Sequence, residues 1–357
     1  MRRRLAGIGV ALAATALLGA CGTPGYYLQA AGGQLEILRL SRPLDDARID
    51  PATPDTLRDK LARAAAIRDF ASRELGLPDN GSYRKYADLG RPYVVWNVFA
   101  TDELSIEPRE WCFPIAGCVS YRGYFAEADA EAFAAALRAQ GNDVHVAGIA
   151  AYSTLGWLDD PLLNTFIHYP EIELARLIFH ELAHQRVYAA GDSEFNESFA
   201  MAVEVAGVRR WLAREGSDAQ RAAFASAQRR RDDFASLVLK YRDALDAAFR
   251  GDADAAHKRA EKARILSELQ AEYRALRDGV WGGYSGYDRW FGQEINNAVL
   301  ASIGLYHQRV PAFEALLAAE GGDLPRFYEH VAQLARLSKD RRDAELARAV
   351  ASATARR

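Results

Sequence analysis

The run His180-Glu181-Leu182-Ala183-His184 sets two imidazoles four residues apart, with a carboxylate directly after the first. On a helix, residues at i and i+4 project from one face, one turn apart. Two imidazole nitrogens so placed reach a single Zn²⁺ at about 2.0–2.1 Å each. Glu181 then points toward the water on the ion and can accept its proton as it attacks a carbonyl. The ion would lower that water's pKa and polarise the carbonyl oxygen. The same five-residue pattern also arises by chance on surface helices with two exposed histidines. Here Leu177, Ile178 and Phe179 precede it, and Leu182 and Ala183 fill it, so the helix is expected to be buried. Buried ionisable groups need partners, and a metal supplies them.

A third protein ligand has to come from another element. Ala190-Gly191-Asp192-Ser193 reads as a turn, followed by Asn196-Glu197-Ser198-Phe199-Ala200-Met201-Ala202-Val203-Glu204. A second helix packed antiparallel against the first can aim a carboxylate at the same ion. Glu197 and Glu204 are seven residues apart, about 20° from one another around the helix. One of them can ligate, and the other can orient a ligand or cap the site.

At these residues the sequence resembles the gluzincin peptidases. NESFAMAVE is similar to the aminopeptidase N-type pattern NExxA with a further Glu seven residues on, and HELAH is similar to that pattern's first half. The resemblance implies zinc as cofactor, His180, His184 and Glu197 as ligands, and Glu181 as general base. Twelve residues separate His184 from Glu197, fewer than in those enzymes. A thermolysin-like spacing of about nineteen would select Glu204 instead, but the Asn-Glu pairing favours Glu197. Arg186 stands where zincin helices more often carry an apolar residue. More widely, PIAGCVSYRGYF, STLGWLDDPLL, FHELAHQRVY, NESFA and NNAVL…YHQRVPAF resemble a bacterial family of predicted aminopeptidase lipoproteins, over most of residues 112–313. The chain lacks a GxMEN-type segment, with which aminopeptidase N relatives grip the substrate's free amine, so endo- and exopeptidase action both stay open. In zinc peptidases a Tyr or His usually stabilises the oxyanion. The candidates are Tyr306, His307, Tyr284, Tyr287 and His168. Tyr306 is favoured because it follows Asn296-Asn297 within a resembling segment. Any one of sixteen tyrosines can equally be a packed core residue. His145, His257 and His330 have no companions at ligand spacing and read as surface or capping residues.

The elements that must position these residues divide the chain in two. Apolar residues at helical spacing mark Asp55–Leu75 and Ala128–Gln140 as helices. Tyr93–Ala100 is dense in β-branched and aromatic residues and reads as a strand; Cys118–Tyr124 and Val144–Ser153 read as two more. Val146–Ser153 could pair with substrate backbone as an edge strand, or be an ordinary buried strand. Beyond residue 160 the pattern is helical: Glu171–Ala189, Asn196–Arg214, a charged Ala-rich hairpin over Ser217–Asp278 with a break at Arg250-Gly251-Asp252, a Gly-rich loop Trp281–Tyr287, and Phe291–Gln308. The expected fold is α+β and zincin-like, with a small mixed N-terminal sheet and a largely helical C-terminal half. The expected divisions are a signal peptide over 1–20, a lipid-anchored tether over 21–45, and a catalytic domain over 46–345. That domain has an α/β part over 46–160 and a helical part over 161–345, with the hairpin at about 215–278.

Composition and the N-terminus bear on location. The chain has 357 residues, half of them hydrophobic, enough for a sizeable core. A net charge of −3 carries no nucleic-acid footprint. Arg2, Arg3 and Arg4 precede the apolar stretch Leu5–Ala20, a secretory pattern too short for a comfortable span. Leu17-Leu18-Gly19-Ala20-Cys21 resembles a bacterial lipobox, which implies cleavage before Cys21 and its lipidation; the alternative is ordinary signal cleavage nearby. Gly22 rather than Asp after the cysteine favours, by analogy, the outer membrane. The remaining pair, Cys112 and Cys118, can form a disulfide in an oxidising periplasm or remain two buried thiols. The expectation is a monomeric, membrane-anchored, periplasm-facing zinc metallopeptidase acting on peptides, with aminopeptidase action implied by the resemblance. The alternative is a non-catalytic zinc-binding lipoprotein serving as an envelope interaction or scaffold protein, although a purely structural site has no need of Glu181. Hydrolysis of an amide in a cell-wall stem peptide differs from the first reading only in substrate.

Overall fold

A computed structural model describes residues 22–113 and 117–355. The expected signal peptide over 1–20 and the expected lipid attachment at Cys21 lie outside the described residues. The expected α+β class holds: among the described residues, three small sheets sit in the N-terminal half and helices fill the rest.

The chain opens with α1 (Gly22–Leu40), so the segment read as a tether is a helix. The short β1 (Arg42–Pro43) and α2 (Leu44–Ile49) lead to α3 (Asp55–Arg73). Leu61, Ala64, Ile67 and Ala71 recur at helical spacing on the buried face of α3. β2 (Lys85–Ala87) is followed by β3 (Val95–Asp102), whose residues are buried up to Asp102. β4 (Trp111–Phe113) and β5 (Gly117–Val119) form a hairpin closed by the Cys112–Cys118 disulfide. β6 (Arg122–Tyr124), α4 (Glu127–Ala139), β7 (Asn142–Ile149) and β8 (Leu162–Leu163) complete this half.

The main sheet has the order β6-β3-β7, with β3 and β7 antiparallel from Val95↔Ile149 to Asp102↔Asn142. A second sheet has the order β1-β2-β8. The expected strand Cys118–Tyr124 is two strands: Val119 pairs with Trp111, whereas Tyr124 pairs with Trp96. Alternation of residue types marks a strand but not its partner, and the partner changes at Ser120-Tyr121.

In the helical half, α5 (Glu171–Arg186) and α6 (Ser193–Glu215) pack side by side through the core. Pro170 starts α5, and Glu171 and Glu173 complement the positive end of its dipole. The helix ends at Arg186, short of the expected Ala189, because Val187 is extended. Arg186 does not need an apolar environment: its guanidinium lies 5.5 Å from the Tyr328 ring centroid. Asp192 caps α6 through the Phe195 N–H at 3.1 Å. Gly207 permits the close approach of α5 and α6, since a Cβ there would lie 2.7 Å from the Phe179 ring.

The hairpin consists of α7 (Asp218–Arg250) and α8 (Ala255–Asp278), with the expected break between them. It is not simply solvated. Phe234, Leu245, Leu269, Tyr273, Trp281 and Phe291 give it a core of its own, which also includes Leu300. After α9 (Asp288–Phe291) the chain runs as a loop to α10 (Asn297–His307), where one helix from Phe291 had been expected. The Asn296 side chain accepts from the Val299 N–H at 3.1 Å and sets that start. Asn297 is buried and donates to the Glu103 and Ser105 carbonyls at 2.9 and 3.0 Å, tying α10 to the loop after β3. α11 (Val310–Ala319), α12 (Leu324–Ala335) and α13 (Lys339–Thr354) close the fold. Among the described residues, no helix is long and apolar enough to cross a membrane.

Candidate metal centre

Three elements bring the candidate residues together. α5 carries His180, Glu181 and His184, α6 carries Glu197 and Glu204, and the end of α10 carries Tyr306. The link between α5 and α6 is fixed by Asn196, which accepts from the Ala189 N–H at 2.8 Å and donates to the Ala189 carbonyl at 2.9 Å. The Asn of the Asn-Glu pair thus holds the turn that sets Glu197 opposite the histidines. Ser198 does the same for α10: its hydroxyl donates to the Tyr306 carbonyl and accepts from the Arg309 N–H, both at 3.2 Å.

His180 Nε2 lies 3.1 Å from His184 Nε2 and 3.2 Å from Glu197 Oε2, and His184 Nε2 lies 3.6 Å from the same oxygen. Four ligands at about 2.0–2.1 Å around a tetrahedral ion stand roughly 3.3–3.4 Å apart. The three donors fit such an ion, and they could hold a metal. Among the described residues, His184 Nδ1 is buried with no hydrogen-bond partner. Glu204 is not part of the triangle. Its Oε2 lies 3.0 Å from His180 Nδ1, on the far side of the ring, and its other oxygen is bonded to the buried Arg176. This is the ligand-orienting place that the seven-residue spacing had allowed.

The donors face a cavity of about 360 Å³. Glu181, Tyr121, Tyr188, Asn97 and Tyr306 share its wall with apolar Val95, Val119, Ile149 and Leu155. Burial raises the pKa of Glu181, against the opposing pull of the two imidazoles. Burial also works to raise Glu197, but His184 and His180 hold it at about 2. Burial, with a contribution from Glu197, lifts the Tyr306 and Tyr121 hydroxyls well above their ordinary value, so both keep their protons as donors.

The other oxyanion candidates lie elsewhere. Tyr287 stacks on Phe234 at 4.5 Å in the hairpin core, and Tyr284 is close to it. His168 is exposed. His307 is half-buried, and desolvation lowers its pKa to about 4. Of the isolated histidines, His145 packs against the Phe99 ring at 6.1 Å rather than lying free on the surface. The His257 N–H bonds to the Asp254 cap of α8 at 2.8 Å, and His330 Nδ1 meets Glu320 at 3.1 Å. Sequence reasoning missed Tyr121, Tyr188 and Tyr26 as pocket residues. The first two lie inside the resembling stretches PIAGCVSYRGYF and FHELAHQRVY, which was the available signal.

A family model described as "Putative aminopeptidase" matches residues 25–346. The chain belongs to that family. No curated protein and no solved structure matches the chain. The aminopeptidase family's match runs from α1 to α13, so the pocket and all three donors fall inside it.

Proposed function

We propose that this member of the aminopeptidase family is a zinc-dependent peptidase, with His180, His184 and Glu197 holding the ion. The observation that carries the reading is the donor triangle of 3.1, 3.2 and 3.6 Å, which suits a tetrahedral ion. When bound, zinc supplies Lewis acidity toward a carbonyl oxygen and lowers the pKa of water. Glu181 is the general base. Its carboxylate takes a proton from the attacking water and returns it to the leaving amine. A carboxylate with a raised pKa is the stronger base for that transfer, and burial provides the rise. Glu204 holds the His180 ring with Nε2 turned into the pocket. The Tyr306 hydroxyl, protonated and in the pocket wall, donates to the oxyanion that develops on the carbonyl. Val95, Val119, Ile149 and Leu155 receive an apolar side chain next to the bond that breaks.

The family's name supports aminopeptidase action on a peptide substrate. The sequence of the first twenty-one residues supports export, acylation of Cys21 and a periplasm-facing anchor, in the outer membrane by the analogy from Gly22. The test is incubation of the chain with zinc and a peptide mixture, with products read by mass spectrometry. Stepwise shortening from the N-terminus is expected, whereas internal cuts would remove the exopeptidase part. Glu181→Gln should retain zinc and lose hydrolysis by about 10²–10⁴-fold. A variant as active as the parent would end the mechanism. Peptide binding without any zinc-dependent turnover would favour the scaffold reading.

A further inference from the structure

We infer that the rim of the pocket is a membrane-docking face: the outer side of α1 and the loop around Trp157 rest on the lipid surface, and the pocket opens beside the bilayer. The inference takes its orientation from the proposed attachment at Cys21, one residue before α1 begins.

α1 has two unlike sides. Its inner side is built into the fold. Ile37 is buried, and Gly33 meets Phe125 so closely that a Cβ would stand 2.0 Å from the ring. The Gln29 amide accepts from the Phe125 N–H at 3.0 Å and donates to the Gly123 carbonyl at 3.5 Å. Gln34 bonds to the Tyr152 hydroxyl. Tyr26 and Ala30 form part of the pocket wall. Its outer side is apolar and unpartnered in the described residues: Leu28 is 73% exposed and Leu35 65%, with Leu38 and Tyr27 also exposed. Leu28, Ala31, Leu35 and Leu38 recur at helical spacing on one stripe. The helix carries only two charged residues, Glu36 and Arg39, and Glu36 is bonded to Arg91 at 2.7 Å.

A second apolar projection borders the same pocket. Tyr152, Ser153 and Leu155 line it, and two residues on Trp157 is 71% exposed beside exposed Leu158. The Gln34–Tyr152 bond joins the two rims. Trp and Tyr favour the membrane–water boundary, and an apolar helix side left open to solvent gains by burial in that boundary. What precedes Gly22 selects the occupant. It is either an acylated Cys21 or the apolar run Leu5–Ala20, and both seek lipid. With so few charges, the face is expected to bind neutral and anionic bilayers alike. A pocket held there would meet peptides that are themselves attached to the membrane.

The test uses the full chain, expressed with its own N-terminus and reconstituted in vesicles of phosphatidylethanolamine with or without phosphatidylglycerol. Cys112 and Cys118 are paired, and the parent labelled alone gives the background from any Cys21 left unacylated, so Leu35→Cys, Trp157→Cys and Ala260→Cys each add one thiol for a spin label. Labels at 35 and 157 should be shielded from an aqueous nickel complex and open to oxygen. The label at 260, exposed on α8, should stay aqueous. Labels at 35 and 157 as open to water as that at 260 would overturn the inference. So would dipolar coupling between labels at 35 that persists in detergent, since it assigns the face to a second copy. The mass of the N-terminal peptide reads the anchor separately, and shielding without acylation would remove the anchor while keeping the face. In parallel, Leu28→Glu with Leu35→Glu should slow cleavage of a bilayer-tethered peptide by about tenfold and leave a soluble peptide's turnover unchanged. Equal slowing of both, or of neither, counts against docking. Failure of the parent to cleave either peptide would end the peptidase reading, and the labels would still decide the face.

Discussion

Glu204 Oε2 stands 3.0 Å from His180 Nδ1, behind the ring that presents Nε2 to Glu197 and His184. Both groups are nearly inaccessible to water, and Arg176 holds the other Glu204 oxygen. A carboxylate in that place fixes the imidazole's tautomer and raises its basicity as a ligand. Glu204→Gln keeps the shape and removes the charge. Zinc affinity is expected to fall about 10–100-fold, read by competition with a chelator. Affinity equal to the parent's would show that the contact does not orient the ligand.

Tyr306 comes to the same pocket by a different route. Asn296 starts α10, Asn297 anchors it to the loop after β3, and Ser198 bonds to the Tyr306 carbonyl from the residue next to Glu197. Tyr306→Phe removes only the hydroxyl. If the hydroxyl meets the oxyanion, kcat should fall about 10²–10³-fold with KM little changed. The comparison is Tyr121→Phe, which shares the cavity. A larger loss at Tyr121 would transfer the role to it.

The distinction between the two glutamates also shows where sequence reading stops. The HExxH spacing was enough to set His180 and His184 on one face with Glu181 beside them, because i, i+4 geometry is local, and the Asn-Glu pair favoured Glu197 as the third donor. The same residues left Glu197 and Glu204 as alternatives, since about 20° around a helix does not say which side of His180 each one meets. Long helices were visible from their periodicity. The strand at Cys118–Tyr124 was visible too, but its change of partner at Ser120-Tyr121 was not, and that change is what puts Tyr121 in the pocket. α1 was read as a tether because its apolar residues face two ways: Ile37 inward, Leu28 and Leu35 outward. No single-faced pattern results.

The β4–β5 hairpin supports the centre from outside. Gly117 has φ +75° and lies against the turn between α5 and α6; a Cβ there would come 2.6 Å from the Gly191 nitrogen. Phe113 and Val119 of the hairpin line the pocket. Replacing Cys112 and Cys118 with Ser is expected to cost about 2–3 kcal/mol, for a short closed loop. Gly117→Ala should cost at least about 1 kcal/mol, from both the backbone conformation and the contact. Thermal melts with and without reductant check both, and a parent whose melting ignores reductant would rule out the disulfide's contribution.

Asp160 offers a test by pH. Burial lifts its pKa to about 6 from an ordinary 3.8, against the Thr154 N–H bond that lowers it, with Glu181 and Asp159 adding to the rise. The folded protein therefore binds this proton more tightly than the unfolded chain does. Its contribution to stability is full below about pH 4, is lost as pH rises from about 4 to 6, and stays lost above that. A shift of about two units corresponds to roughly 3 kcal/mol. Asp160→Asn keeps the acceptor, because Thr154 N and Gln185 Nε2 both donate to the one oxygen Oδ2, at 3.0 and 3.4 Å. The variant should match the parent near pH 4 and gain on it steadily to pH 6, by up to roughly 3 kcal/mol, after which the difference is flat. Denaturant titrations of both proteins across that range give the difference directly. A constant difference from pH 4 to 8 would mean that Asp160 is already ionised in the folded state, with its charge met by the Thr154 and Gln185 donors.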